Sequence, residues 1–168
     1  MGKDNLSDLA VIALGGNQRG EHSSLVAALE AAAVRLGEVG FEPVRLSRWW
    51  RSAAWPDPKD PPFLNGVMLA RTQLTPEAAM AALHAVEAQF GRRRSTPNAP
   101  RTLDLDLIAL GQTVMHGPLV LPHPRAAERL FVMGPLAEIA PDWRHPVTGE
   151  SAEILASRAM IGQDAVPQ

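Results

Sequence analysis

The chain has 168 residues, 46% hydrophobic and 20% charged, and sixteen Lys and Arg against eighteen Asp and Glu leave a formal net charge of -2. That length and balance suit one globular domain with a proper core, and they lack the broad basic field that nucleic-acid backbone recognition needs. The absence of cysteine excludes disulfides and thiolate chemistry, five histidines show no zinc spacing, and no apolar run approaches the roughly 20 residues of a membrane span.

Leu9 to Leu14 is a short apolar run closed by Gly15-Gly16, which predicts a first strand and a tight turn. The segment Gly15-Gly16-Asn17-Gln18-Arg19-Gly20 does not match G-x-G-x-x-G, and no G-x-x-x-x-G-K-[ST] occurs, so neither dinucleotide nor P-loop readings apply. Leu25, Leu29, Ala32 and Leu36 recur at helical spacing before Gly37. Phe41 to Arg51 reads as a second strand, the proline-rich stretch Ala53 to Pro62 as a loop, and Phe63 to Thr72 as a third strand. Thr75-Pro76 forms a cap and first-turn pair for a helix carrying Ala79, Leu83, Val86 and Phe90 up to Gly91. Residues 102–110 make a fourth strand. This βαββαβ order is ferredoxin-like, an α+β fold with helices expected on one face of a mainly antiparallel sheet. A C-terminal extension from Gly111 adds a hairpin and short helices around 125–139 and 151–157, and residues after about 162 read as a loose end. We expect a single domain over 1–168, with its core at about 9–157. Trp49, Trp50 and Trp143 read as packing residues. The first residues carry no apolar signal region, so the cytoplasm is the expected location.

The fourth strand carries the most information. In Arg101-Thr102-Leu103-Asp104-Leu105-Asp106-Leu107-Ile108-Ala109-Leu110, side chains alternate, so Asp104 and Asp106 share a face with Thr102, Ile108 and Leu110, and Leu103, Leu105, Leu107 and Ala109 share the other. Two neighbouring anions on a half-buried surface repel each other unless a cation sits between them or one takes up a proton. Hard oxygen ligands without Cys or His favour Mg²⁺, completed by water and substrate phosphates. A polar edge paired with arginines is the plainer alternative. Upstream, Arg92, Arg93, Arg94 and Arg101 place four guanidinium groups in one short span. Downstream, Pro124 suits a first helical position with His123 as N-cap, an end that attracts anions, and would set Arg125 and Arg129 on one helical face. Arginines, a helix N-terminus and a carboxylate pair suit a polyphosphate. A solvated charge run and a simple cap explain the same residues without a ligand.

The string Asn98-Ala99-Pro100-Arg101-Thr102-Leu103-Asp104-Leu105-Asp106-Leu107-Ile108 resembles the signature of the 6-hydroxymethyl-7,8-dihydropterin pyrophosphokinase family. Val11 to Asn17, Phe63-Leu64-Asn65, Pro122-His123-Pro124 with Arg129 and Phe131, and Pro135 to Pro141 resemble further segments of that family, in family order, over about residues 9–157. The resemblance implies a ferredoxin-like enzyme of folate synthesis that moves pyrophosphate from ATP to the pterin alcohol, with two Mg²⁺ ions on Asp104 and Asp106. It implies catalytic roles for Arg92, Arg101, Asp104 and Asp106, and ATP contacts from Glu87, Arg92, Arg94, Arg101, His123 and Arg129. Ser52, Ala53, Trp55, Phe63, Asn65 and Phe131 would meet the pterin, as faces for a flat bicycle and an amide for its edge. Small-molecule substrates, no nucleic acid or membrane, and a monomer are the expected partnerships. The family commonly has Thr-Pro near Ser52-Ala53, and some members carry tryptophan where Asn98 stands. Other residues replace Pro118 and Arg125 in some relatives. A same-fold enzyme acting on another alcohol, or a non-catalytic nucleotide-binding module, are the alternatives. The altered 52–55 loop bears on the first, and the retained carboxylates and pterin shelf oppose the second.

Overall fold

The apolar run at the start of the chain is a strand, and the rest of the sheet assembles around it. The computed structural model describes residues 5–54, 57–91 and 103–168. In chain order the elements are β1 (Ala10–Gly16), α1 (Leu25–Glu38), β2 (Glu42–Leu46), β3 (Trp50–Ser52), β4 (Phe63–Arg71), α2 (Pro76–Gln89), β5 (Asp104–Leu110), β6 (Met115–His116), β7 (Val120–Leu121), α3 (Leu130–Ile139), α4 (Ala152–Arg158) and β8 (Val166–Pro167), with 3₁₀ turns at Leu6–Asp8 and Ala126–Glu128. The sheet runs β5-β1-β4, with β2 and β3 both paired to the outer edge of β4 and β8 beyond β3, every pairing antiparallel. This is the ferredoxin-like order, extended by one short strand. The expected cap at Thr75 forms, its Oγ1 accepting the Ala78 N–H at 3.2 Å ahead of Pro76, and Ser24 caps α1 in the same way, its Oγ accepting the Ala27 N–H at 3.0 Å.

Helices cover both faces of the sheet, not one. Ala10, Ile12 and Leu14 of β1 pack with Leu29, Leu36 and Leu83 of α1 and α2, while Leu9 and Val11 pack with Val132, Leu136 and Leu155 of α3 and α4. A strand buried on both sides reads as a continuous apolar run, which hides which face each residue serves. Leu29, Leu36 and Leu83 are fully buried, and each such side chain contributes roughly 1.5–3 kcal/mol.

Four local expectations need correction. The single strand expected at 41–51 is two, because Ser47 Oγ accepts the Val67 N–H at 2.9 Å and the Arg48 N–H turns to the Glu138 carboxylate at 2.8 Å, which breaks the ladder between β2 and β3. Gly15 and Gly16 lie within β1, paired to β4, and the turn begins after them. The helix expected from Pro124 is a 3₁₀ turn followed by α3, whose N-cap is Arg129, so Arg125 and Arg129 do not share a helical face. The tail after Gly162 is tied down: Trp50 pairs with Pro167 and Arg51 with Val166.

β5 departs from strict alternation. Val11 opposes Ala109 and Ile12 opposes Leu107, so Ile108 bulges out of the ladder with β1. The extra residue resets the phase. Ile108 and Ala109 both join the α3 side of the core, and Leu110 crosses to the α1 and α2 side, whereas Leu103, Leu105 and Leu107 stay on the face expected of them.

Candidate active site

The odd-numbered face of β4 and the even-numbered start of β5 converge beyond the N-terminal end of α3, where the helix stops covering the sheet. A cavity of about 480 Å³ sits there. Phe63 and Asn65 enter from β4, Asp104 and Asp106 from β5, Ser52 and Ala53 from the end of β3, and Arg129 and Phe131 from the start of α3. The carboxylate pair and the aromatic and amide shelf thus share one wall system. The register explains it: in the two ladders of β1, Gly15 lies between Asn65 and Asp104, and Ala13 lies opposite Asp106.

Gly15 leaves space that its neighbour uses. A Cβ built there would stand 2.2 Å from Asn65 Oδ1 and 3.3 Å from the Leu64 carbonyl oxygen, far inside van der Waals contact for the amide. The amide of Asn65 therefore leans across the bare backbone of β1. On the opposite wall the Arg129 guanidinium lies 5.7 Å from the centre of the Phe131 ring, which holds the cation beside the aromatic face.

Glu87 does not line this cavity. It is 2% exposed, on the β5 side of α2, and its Oε2 accepts the Leu105 N–H at 2.8 Å. That hydrogen bond fastens the β5 backbone between the two aspartates, an orienting role from behind the strand. His123 also stands off the cavity wall. Its N–H donates to the Ile108 carbonyl at 2.8 Å, the oxygen freed by the bulge, and its Nδ1 accepts the Arg125 N–H at 3.2 Å. Burial pushes the His123 pKa down, the Asp106 and Asp104 carboxylates oppose that, and Arg129 and Arg125 reinforce it, for a net lowering. With Nδ1 occupied as an acceptor, the neutral ring carries its proton on Nε2, a donor suited to a phosphate oxygen. Arg92, Arg94, Arg101, Trp55 and Asn98 lie outside the described residues.

The sequence reading missed a third contributor. Ile161, Gly162 and Asp164 from the tail line the cavity, as do Ala54 and Val132. No periodicity or motif marks the tail, and its contacts span more than a hundred residues of chain: Asp164 Oδ2 accepts the Ala53 N–H at 2.7 Å.

The ferredoxin-like sheet presents a carboxylate pair and a cation to one cavity, and the similarity to known proteins places the chain among the ATP-dependent transferases of phosphorus-containing groups. The model of the 7,8-dihydro-6-hydroxymethylpterin-pyrophosphokinase (HPPK) family matches residues 11–141, and the chain belongs to that family. It is 41% identical over 143 residues to a 2-amino-4-hydroxy-6-hydroxymethyldihydropteridine pyrophosphokinase of Synechocystis sp., covering 84% of this chain and 71% of the relative. It is 36% identical over 157 residues to the protein of that name from Pseudomonas aeruginosa, covering 93% and 95%. Among solved structures, wild-type Plasmodium falciparum HPPK-DHPS is similar with a TM-score of 0.69 over 89% of this chain and 44% of that one, and at 13% identity this likeness concerns the fold. The protein is a pyrophosphokinase of folate synthesis.

Proposed function

We propose that the 480 Å³ cavity takes 6-hydroxymethyl-7,8-dihydropterin, with Phe63 and Phe131 as faces and Asn65 reading the edge, and that ATP lies across Asp104, Asp106, Arg129 and His123. One observation carries this reading: the amide and aromatic shelf and both carboxylates line the same cavity, so a pterin on the shelf directs its hydroxymethyl group toward the phosphate-binding end. The pterin oxygen attacks the β-phosphorus, the bond from that phosphorus to the bridging oxygen of AMP breaks, and the alcohol proton is lost. Holding the two reactants in this order makes the step effectively unimolecular.

The carboxylates fit a divalent cation. Asp104 and Asp106 offer hard oxygens on one face, and among the described residues no third carboxylate or histidine joins them as a closed cage. Such a partial set suits Mg²⁺ shared with substrate phosphates. Two Mg²⁺ ions held by Asp104 and Asp106 would supply charge neutralisation for the phosphate chain. Around them the chain's own groups act by placement. Glu87 fixes the backbone between the aspartates, Arg129 brings a cation beside the pterin face, and His123 offers its Nε2 proton to a phosphate oxygen. Arg92 and Arg101 neutralise charge on the transferred group and the leaving oxygen, and Arg94 supports the phosphate chain.

The deciding assay is AMP release from ATP and Mg²⁺, with and without 6-hydroxymethyl-7,8-dihydropterin. Release that depends on the pterin is expected. Release supported equally by an unrelated alcohol, or none with the pterin, would refute the substrate assignment.

A further inference from the structure

We propose that Asp164 is a positioning residue for the pterin pocket, acting through the backbone of Ala53. The proposal rests on the cavity being the pterin site. Ser52 and Ala53 form a rim of that cavity, yet Ala53 follows the last residue of β3 and lies outside its ladder with β4, which ends at Ser52. Alanine does not fix its own φ as proline would, and its N–H requires an acceptor. The Asp164 carboxylate supplies one at 2.7 Å. It does so as the next rung beyond the β3 and β8 pairing, in which Arg51 opposes Val166, so a side chain continues a ladder that backbone has left.

The backbone that carries Asp164 is itself held from both sides. The Ala165 N–H donates to the Gly162 carbonyl at 2.9 Å, closing a turn around Asp164. Upstream, the Leu130 N–H donates to the Ile161 carbonyl and the Ile161 N–H to the Glu128 carbonyl, each at 2.9 Å, on either side of Arg129. Gly162, at φ +71, lies against the Phe131 ring, where a Cβ would come within 2.5 Å of an aromatic carbon. The tail thus ties the β3 rim to the wall that carries Arg129 and Phe131. Asp164 is the tail's bond to the β3 rim, and through it the position of that rim is coupled to the wall that carries the Phe131 face.

The test uses the full-length chain and two titrations, one with 6-hydroxymethylpterin and one with a non-hydrolysable ATP analogue. Asp164→Ala is expected to weaken pterin binding about five- to tenfold, leaving the nucleotide analogue within about twofold and the thermal midpoint close to the parent's. Asp164→Asn keeps a carbonyl acceptor for the Ala53 N–H and should restore pterin affinity to within about twofold of the parent. Unchanged pterin affinity in Asp164→Ala overturns the proposal, as does equal weakening of both ligands. An Asp164→Asn variant as weak as Asp164→Ala overturns it too, because the charge and not the acceptor would then matter. Asn65→Ala separates the two levels of inference. If Asn65→Ala also binds the pterin normally, the cavity assignment fails; if Asn65→Ala loses affinity and Asp164→Ala does not, only the role of Asp164 fails.

Discussion

Gly15→Ala should separate stability from pterin recognition, because the atom it adds meets mainly one movable group. The new methyl would lie 2.2 Å from Asn65 Oδ1, so the amide must swing away, and 3.3 Å from the Leu64 carbonyl, which must yield by a few tenths of an ångström. A two-torsion side chain can rotate, so the fold loses only about 1 kcal/mol, or about 2–4 °C in thermal midpoint for a chain of this length. The ligand loses more. A displaced amide leaves the buried edge of the heterocycle unpaired, worth about 1–3 kcal/mol, or roughly five- to 150-fold in Kd. Pterin affinity by calorimetry, nucleotide-analogue affinity and the thermal midpoint are the three readings needed. A double-mutant cycle sharpens them: if Gly15 acts through Asn65, Gly15→Ala with Asn65→Ala binds the pterin no worse than Asn65→Ala alone. Unchanged pterin affinity in Gly15→Ala would refute the reasoning, and so would fully additive losses in the double variant.

Asp104→Asn and Asp106→Asn are each expected to reduce turnover by about 10²-fold or more while the protein stays folded; activity within a few-fold of the parent at saturating Mg²⁺ would remove the carboxylates from the site. Glu87→Leu should destabilise the protein by about 1–3 kcal/mol in urea unfolding, since the buried Leu105 N–H loses its acceptor, and Glu87→Gln should recover most of that loss. His145 should make stability fall in mild acid. Burial holds its pKa below the ordinary value, and its Nδ1 accepts the Val147 and Thr148 N–H groups at 3.2 Å each. The stability tied to the neutral ring is therefore present above about pH 6.5, the unfolded value, and is lost as pH falls through the depressed folded value. Urea midpoints at pH 7.5 and 5.5 would show this, with the difference reduced in His145→Asn.

Much of the candidate site was legible because its residues ride on alternation. Phe63 with Asn65, and Asp104 with Asp106, are pairs two residues apart on strands, and that spacing alone put each pair on one face. The helix cap at Thr75 and the packing roles of Trp49 and Trp143 were equally local. What alternation could not convey was which faces meet. Antiparallel pairing of β1 with both β4 and β5 places Asn65 and Asp104 on either side of Gly15, and nothing within any one strand encodes that. The glycine itself was read as turn chemistry, although its purpose is to vacate space within the strand. Glu87 was expected among the ATP contacts, and its bond to the backbone of a strand eighteen residues on could not be read from an acid on a helix.

The bulge at Ile108 shows why the second half of the site resisted the same reading. A strict two-residue period assigns Ala109 and Leu110 to the wrong faces, since a single unpaired residue inverts every position after it. That irregularity has a use. An uninterrupted strand would spend the Ile108 carbonyl on β1, whereas the bulge turns it to the His123 N–H, and so brings the Pro122-His123-Pro124 segment within electrostatic reach of Asp104 and Asp106. From there the chain runs through Arg129 to Phe131, so the residue that breaks the pattern also links the carboxylates to the opposite wall of the cavity. The tail follows the same logic at longer range: its bonds to Glu128 and Leu130 and to Ala53 are made by groups with no distinguishing sequence context, and only the closed sheet brings them together.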